Sequence, residues 1–280
     1  MQTISDTDVR FGELAGPLVH GSVLFDWQLI STQEVAAAFG YSFEEILAED
    51  GIPYAPVVVD TTVHRYPALG DTITVETVPI GVGDSSVELL YEVLDDDGER
   101  LATARMTHVT IAPTGAARPL PEQVQSAFAD ACVDRDPEVG PTTESNEGSD
   151  LPSYSTSVPI RSPYIEGADL AYFEEYPRFA GIALEEFLTE QGTSVGELAG
   201  EKQPYRLREW EWQFQSPVHF ETELHVDCNV VHVDRETIRV RHELTSDGAT
   251  NISGVTEYGC FDRSGVPVPF DDEMIAPFEP

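Results

Sequence analysis

The chain has 280 residues, 41% of them hydrophobic and 9% aromatic, with 51 Asp and Glu against 15 Lys and Arg, for a formal net charge of -36 at pH 7. That apolar fraction excludes wholesale disorder, and the length predicts two domains of ordinary size, each with its own core. Nucleic-acid binding needs basic patches to neutralise phosphates and is excluded by the charge.

The acids are spread through both halves, and Lys202 is the only lysine. At ~1 M salt the Debye length falls to about 3 Å and such self-repulsion largely disappears, so the composition predicts a haloadapted protein. Cys132, Cys228 and Cys260 lack metal-ligand spacing and read as inert thiols, so neither a metal nor a cofactor is expected. Residues 1–10 have no apolar h-region, and no stretch approaches the ~18 apolar residues of a membrane span. A cytoplasmic protein without membrane partners is expected.

In chain order, residues 8–11 read as a short strand and 22–39 as a helix that Gly40 ends. Val23, Leu24, Trp27, Leu29, Ile30, Val35, Ala38 and Phe39 leave that helix little polar face, which predicts a core helix. Four β-rich segments follow at 57–66, 72–80, 86–94 and 101–111, with the acidic turn 95–98 marking a hairpin and hence an antiparallel sheet. Val124, Phe128 and Cys132 recur every fourth residue and predict a short helix over 121–132. Residues 134–153 are rich in Pro, Gly, Ser and acids and read as a linker.

The second half repeats the order, with a strand at 155–160, a helix near 168–191, and strands at 206–215, 223–231, 237–244 and 252–261. Pro67 and Pro217, Gly98 and Gly248, and Ala104 and Gly254 each lie 150 residues apart, which points to an internal duplication. The expected organisation is a first domain over 1–133, the linker, and a diverged second copy over 154–280. Trp210 and Trp212 alternate on one strand face and read as packing residues.

Several segments of the first half match a known family in order. They are V-R-F-G-E at 9–13, V-H-G-S-V-L-F-D-W at 19–27, F-G-Y-S-F-E-E-I at 39–46, A-L-G-D-T-I-T-V at 68–75, S-S-V-E-L-L-Y-E-V at 85–93 and T-H-V-T-I at 107–111. Through them residues 9–121 resemble the 4-hydroxybenzoyl-CoA thioesterase branch of the hot-dog superfamily. The second half resembles it less closely, through A-Y-F-E-E at 171–175 and its strand pattern. The resemblance implies an α+β fold of two tandem hot-dog domains, each an antiparallel sheet wrapped around a long central helix, with active sites where two such units pair. It implies acyl-CoA thioesterase activity on a fatty or aromatic acyl group. The alternatives are an acyl-carrier-protein thioesterase and a ligand-binding protein without turnover. Association of such pseudo-dimeric chains into a homo-oligomer is also expected.

The family's acidic loop usually reads F-G-D-x-D-x-x-G-H-V, whereas here F-G-E-L-A-G at 11–16 is shorter, so Glu13 falls on the first or the second Asp depending on the end matched. Thioester hydrolysis needs a carboxylate to activate water or attack the carbonyl, and N–H donors for the oxyanion. Glu13 is therefore the expected catalytic carboxylate, with a solvated loop acid as its alternative. His20 would donate to the carbonyl or orient water, or else merely cap backbone. Gly21, Ser22 and Val23 would bind substrate through their amides at a helix N-terminus. In the second half Glu166 is the plausible loop acid, and Glu174 and Glu175 match family residues on the central helix, as catalytic or as structural acids. His64, His108, His219, His225, His232 and His242 form no metal-ligand motif, and neither a glycine-rich phosphate loop nor G-x-S-x-G occurs.

Overall fold

The computed structural model of the chain describes residues 1–135, 151–167 and 169–279. The segment expected as a linker lies largely outside them. The first half comprises β1 (Gln2–Asp8), a 3-10 turn Phe11–Glu13, β2 (Leu14–Ala15), β3 (Leu18–Val19), α1 (Gly21–Ala38), α2 (Phe43–Leu47), β4 (Ile52–Val63), β5 (Thr72–Val82), β6 (Ser86–Leu94), β7 (Arg100–Ile111) and α3 (Glu122–Ala131). The second comprises β8 (Ser153–Pro159), a 3-10 turn Ser162–Tyr164, α4 (Glu175–Glu190), α5 (Val195–Ala199), β9 (Lys202–Phe214), β10 (Glu223–Val233), β11 (Ile238–Ser246), β12 (Ala249–Asp262), β13 (Pro267–Val268) and α6 (Asp272–Ile275).

The main sheet runs β1-β5-β6-β7-β4-β9-β12-β11-β10-β8, with β13 on β12, and all its pairings are antiparallel. Each half contributes an antiparallel sheet with one long helix against it, and the order of the second half mirrors that of the first about the β4–β9 seam. There Asp60 faces Glu211 across the seam, flanked by Val59 opposite Trp212 and Thr61 opposite Trp210. The mirror extends to the next strands. Ala104 pairs with Thr61, and Gly254 with Trp212. A Cβ on Gly254 would collide with the Trp212 ring and the Glu211 carbonyl, so this glycine makes room for an indole where the first half needs room only for a threonine.

Alternating side chains of the strands and the apolar faces of α1 and α4 close one continuous core across the seam. Phe25 of α1 stacks on Trp210 of the other half with ring centroids 4.6 Å apart, so aromatic burial ties the halves together. The first turns of α1 are enclosed, as the sequence predicts, while Ile30, Gln33, Glu34 and Ala37 emerge further on.

The structure differs from the sequence expectation at three boundaries. β4 starts at Ile52 despite Pro53 and Pro56, because it pairs with β7 from Ile52 opposite Ile111 onward. β1 begins at Gln2 and pairs with β5. α4 begins only at Glu175, since short bridges Ile165–Ala171 and Leu170–His219 hold the preceding segment extended. Among the described residues, no helix is long and apolar enough to cross a membrane.

Candidate active site

The N-terminus of α1 is brought to the seam by a short folded loop. Gly16, at φ +68, turns the chain between β2 and β3. The Val19 N–H donates to the Pro67 carbonyl and the His20 N–H to the Glu13 carbonyl, both at 2.8 Å. His20 then caps the helix. Gly21 follows, and a Cβ there would lie 2.8 Å from Leu207 Cδ1 and 3.3 Å from Tyr66 Oη. Only the missing side chain lets this helix end approach β9 of the second half so closely. Tyr66 in turn donates to the Leu207 carbonyl at 2.6 Å, and Arg206 crosses the seam to the carbonyls of Ala15 and Val19.

A cleft of about 350 Å³ opens at this point. Its polar end holds His20, Gly21, Gln203 and Arg206, and its apolar walls include Pro177, Leu184, Val195 and Leu207. Dimensions of that order suit a small-molecule site that is mostly apolar with a few convergent polar groups. On α4 the lining residues Pro177, Gly181, Leu184 and Glu185 form one stripe at helical spacing. Glu174, at the N-cap of α4, lies one turn before Pro177 and is not among the residues that line the cleft.

The hydrogen bonds define the state of His20. Its Nδ1 accepts from the Ser22 N–H at 3.1 Å and lies 2.7 Å from Ser22 Oγ. The amide can only donate, so Nδ1 carries no proton and the imidazole is the Nε2–H form. Burial, aided by the positive charges of Arg178 and Arg206, pushes the His20 pKa down to about 4, so the ring is neutral near pH 7. Arg178 Nε donates to Ser22 Oγ at 2.9 Å, and its Nη2 lies 3.3 Å from Glu174 Oε1. Burial, with Asp26 and Glu175 nearby and against the pull of Arg178, pushes the Glu174 carboxyl up to about 7. The Tyr172 hydroxyl donates to Asp26 Oδ1 at 2.7 Å. One polar cluster therefore spans the N-termini of both long helices.

The residues expected from the sequence divide into those this cluster gathers and those it leaves out. His20 and Gly21 line the cleft. The Gly21 N–H has no acceptor among the described residues, whereas the Ser22 N–H is taken by His20 Nδ1 and the Val23 N–H by the His20 carbonyl at 3.0 Å. Of three expected amide donors, one remains open to a ligand. Glu13 lies beside His20 through its backbone only; its carboxylate accepts from the Arg10 N–H at 2.6 Å in a capping box and does not line the cleft. Glu166 sits in the second loop, with its N–H on the Leu170 carbonyl, also away from the cleft. Glu174 joins the cluster. Sequence reasoning missed Arg178 and Arg206, which act across the seam and so have no local signature.

Comparison with known proteins bears on this arrangement. The Thioesterase-like superfamily profile matches residues 170–278. A 1,4-dihydroxy-2-naphthoyl-CoA hydrolase from Prochlorococcus marinus is 33% identical over 113 residues, covering 38% of this chain and 75% of that protein. The chain belongs to the hot-dog thioesterase superfamily. Its fold as a fused pair of hot-dog units is seen over nearly the whole length in a protein described as an oleoyl thioesterase from Lactobacillus plantarum, at TM-score 0.75 and 12% identity, covering 96% of this chain and 98% of that one. The 12:0-ACP thioesterase from Umbellularia californica is similar at TM-score 0.69 and 15% identity, covering 90% and 94%. The profile falls on the half that looked more diverged by sequence, so hot-dog character is retained on both sides of the seam.

Proposed function

We propose that this hot-dog protein hydrolyses an acyl-CoA, fatty or aromatic, at a single composite site in the seam cleft. The observation that carries the reading is the convergence of the His20 Nε2–H and the open Gly21 N–H at the end of an apolar cleft whose α4 wall leads to Glu174. In this reading the thioester carbonyl oxygen accepts from those two donors, and the N-terminal dipole of α1 favours the charge that develops on it. Glu174 takes a proton from water, which attacks the carbonyl carbon. Collapse of the tetrahedral intermediate breaks the C–S bond, and the departing CoA thiolate recovers the proton. A carboxyl near 7 is well matched to that role. Glu13 keeps its loop folded.

The curated CoA hydrolase relative supports CoA as the carrier. The dispersed acids support haloadaptation, and three unpaired cysteines support a reducing cytoplasm. Exposed Phe11 and Leu69 support self-association of these pseudo-dimeric chains.

Release of CoA from a panel of acyl-CoAs, followed with a thiol-reactive dye, tests the reading. The rate should rise with pH through about 7 as Glu174 deprotonates. Glu174→Gln should lower kcat by roughly 10²- to 10⁴-fold with folding intact and remove that pH limb, while Glu13→Gln should leave most turnover. Full activity in Glu174→Gln with loss in Glu13→Gln would return the carboxylate role to the first loop. Tight binding without CoA release would make the protein an acyl-CoA binder.

A further inference from the structure

We infer that Arg178 of the second half is a positioning residue for His20 of the first, acting through the Ser22 hydroxyl to hold the imidazole with Nε2–H facing the cleft. The inference rests on the role proposed for His20 and adds a control that comes from across the seam.

It follows from donors and acceptors. A guanidinium has no acceptor, so at 2.9 Å Arg178 Nε–H must donate to Ser22 Oγ. The single hydroxyl proton of Ser22 then goes to its remaining close neighbour, His20 Nδ1, at 2.7 Å. Ser22 is 0% exposed, so with Arg178 in place no water competes for its hydroxyl. Without that donor the hydroxyl would be free to rotate and accept from an Nδ1–H, leaving the longer 3.1 Å contact from the Ser22 amide as the one bond that favours an unprotonated Nδ1, and the competing imidazole form would gain population. The guanidinium is anchored from one turn back by Glu174 at 3.3 Å and Glu175 at 3.7 Å, which points its Nε edge at α1.

The opposite side of the cluster carries a reciprocal contact. The N–H of His20 donates to the Glu13 carbonyl and that of Tyr172 to the Tyr164 carbonyl, each Glu13 and Tyr164 closing its 3-10 turn, so His20 and Tyr172 occupy equivalent places. Six residues on from each stand Asp26 and Arg178. Tyr172 bonds to Asp26, and His20 is linked to Arg178 through Ser22. Duplication has thus produced complementary partners, each half orienting a side chain of the other.

Nitrogen-15 NMR of the full chain, with the His20 signals assigned by their loss in His20→Gln, reads the tautomer directly. Wild type should show an unprotonated Nδ1 and a protonated Nε2. Arg178→Gln and Arg178→Lys should both lose this single form, and kcat should fall by roughly 10- to 100-fold, the range known for partners that orient metal-bound histidines. Ser22→Ala should do the same, with the Ser22→Ala/Arg178→Gln double variant no worse than either single change. A wild-type His20 signal in Arg178→Gln overturns the inference. So does Arg178→Lys that matches wild type, since any cationic donor would then suffice and the guanidinium held by Glu174 and Glu175 would not be what positions His20. Because the spectrum needs no turnover, it decides the inference even if no acyl-CoA is hydrolysed.

Discussion

The two long helices begin differently, α4 two residues later than α1 when His20 is matched to Tyr172. α1 opens with His20-Gly21-Ser22, and α4 is preceded by Tyr172-Phe173-Glu174. Gly21 packs against β9 with no room for a side chain and borders the cleft. Phe173, at the matching place, is 7% exposed, its ring centroid 4.9 Å from that of Phe25 and 5.4 Å from that of Phe214. Where one half has no side chain and borders the cleft, the other carries an aromatic ring that joins the core. In the proposed reading one composite site stands where a symmetric pair of units would have two, the first half supplying the oxyanion donors and the second the carboxylate and the Arg178 contact.

The largest effect that would sharpen this comparison is expected at Phe173. Phe173→Ala should cost about 3–5 kcal/mol in denaturant unfolding, the usual range for a buried phenylalanine, while the remaining folded protein still hydrolyses at the α1 end. A variant as stable as wild type, or one inactive although folded, would break the division of labour between the helix ends. A smaller effect is expected where the halves meet on the outer face. Burial, with Glu211 directly opposite, pushes the Asp60 carboxyl up to about 6. Its folded pKa exceeds the unfolded one, so the stability tied to its protonated form is present below about pH 4 and lost as pH rises through about 6. Asp60→Asn should therefore stabilise the protein at pH 8, by roughly 0.2–1 kcal/mol, and change little at pH 4. The melting temperature of wild type should climb as KCl approaches molar concentration, and Asp60→Asn should gain less from the salt. A melting temperature that is flat or falls with KCl would remove screening as a contributor.

What the sequence made legible follows from what is local in it. The apolar run of α1, the alternation in β6 and the turn residues repeated in both halves mark elements whose causes lie within a few residues of each other. The duplication and the family resemblance lead to the fused pair, and His20-Gly21 at a helix start leads to the residues that line the cleft. Glu13 looked catalytic because of its place in a short acidic loop, yet its carboxylate satisfies the Arg10 N–H of its own turn. The Gly21 fit against Leu207, the Phe173–Phe25 contact and the Arg178–Ser22 bond all depend on the seam. Residues separated by 156 positions, as Ser22 and Arg178 are, leave no spacing to recognise.

The account rests on one open site per chain, and binding stoichiometry tests that most directly. Isothermal titration of the full chain in molar KCl with a non-hydrolysable thioether analogue of an acyl-CoA substrate should give one molecule bound per chain, and Glu174→Gln should keep that stoichiometry. Two equivalent molecules per chain would show that the α4 end is also open and would contradict the account.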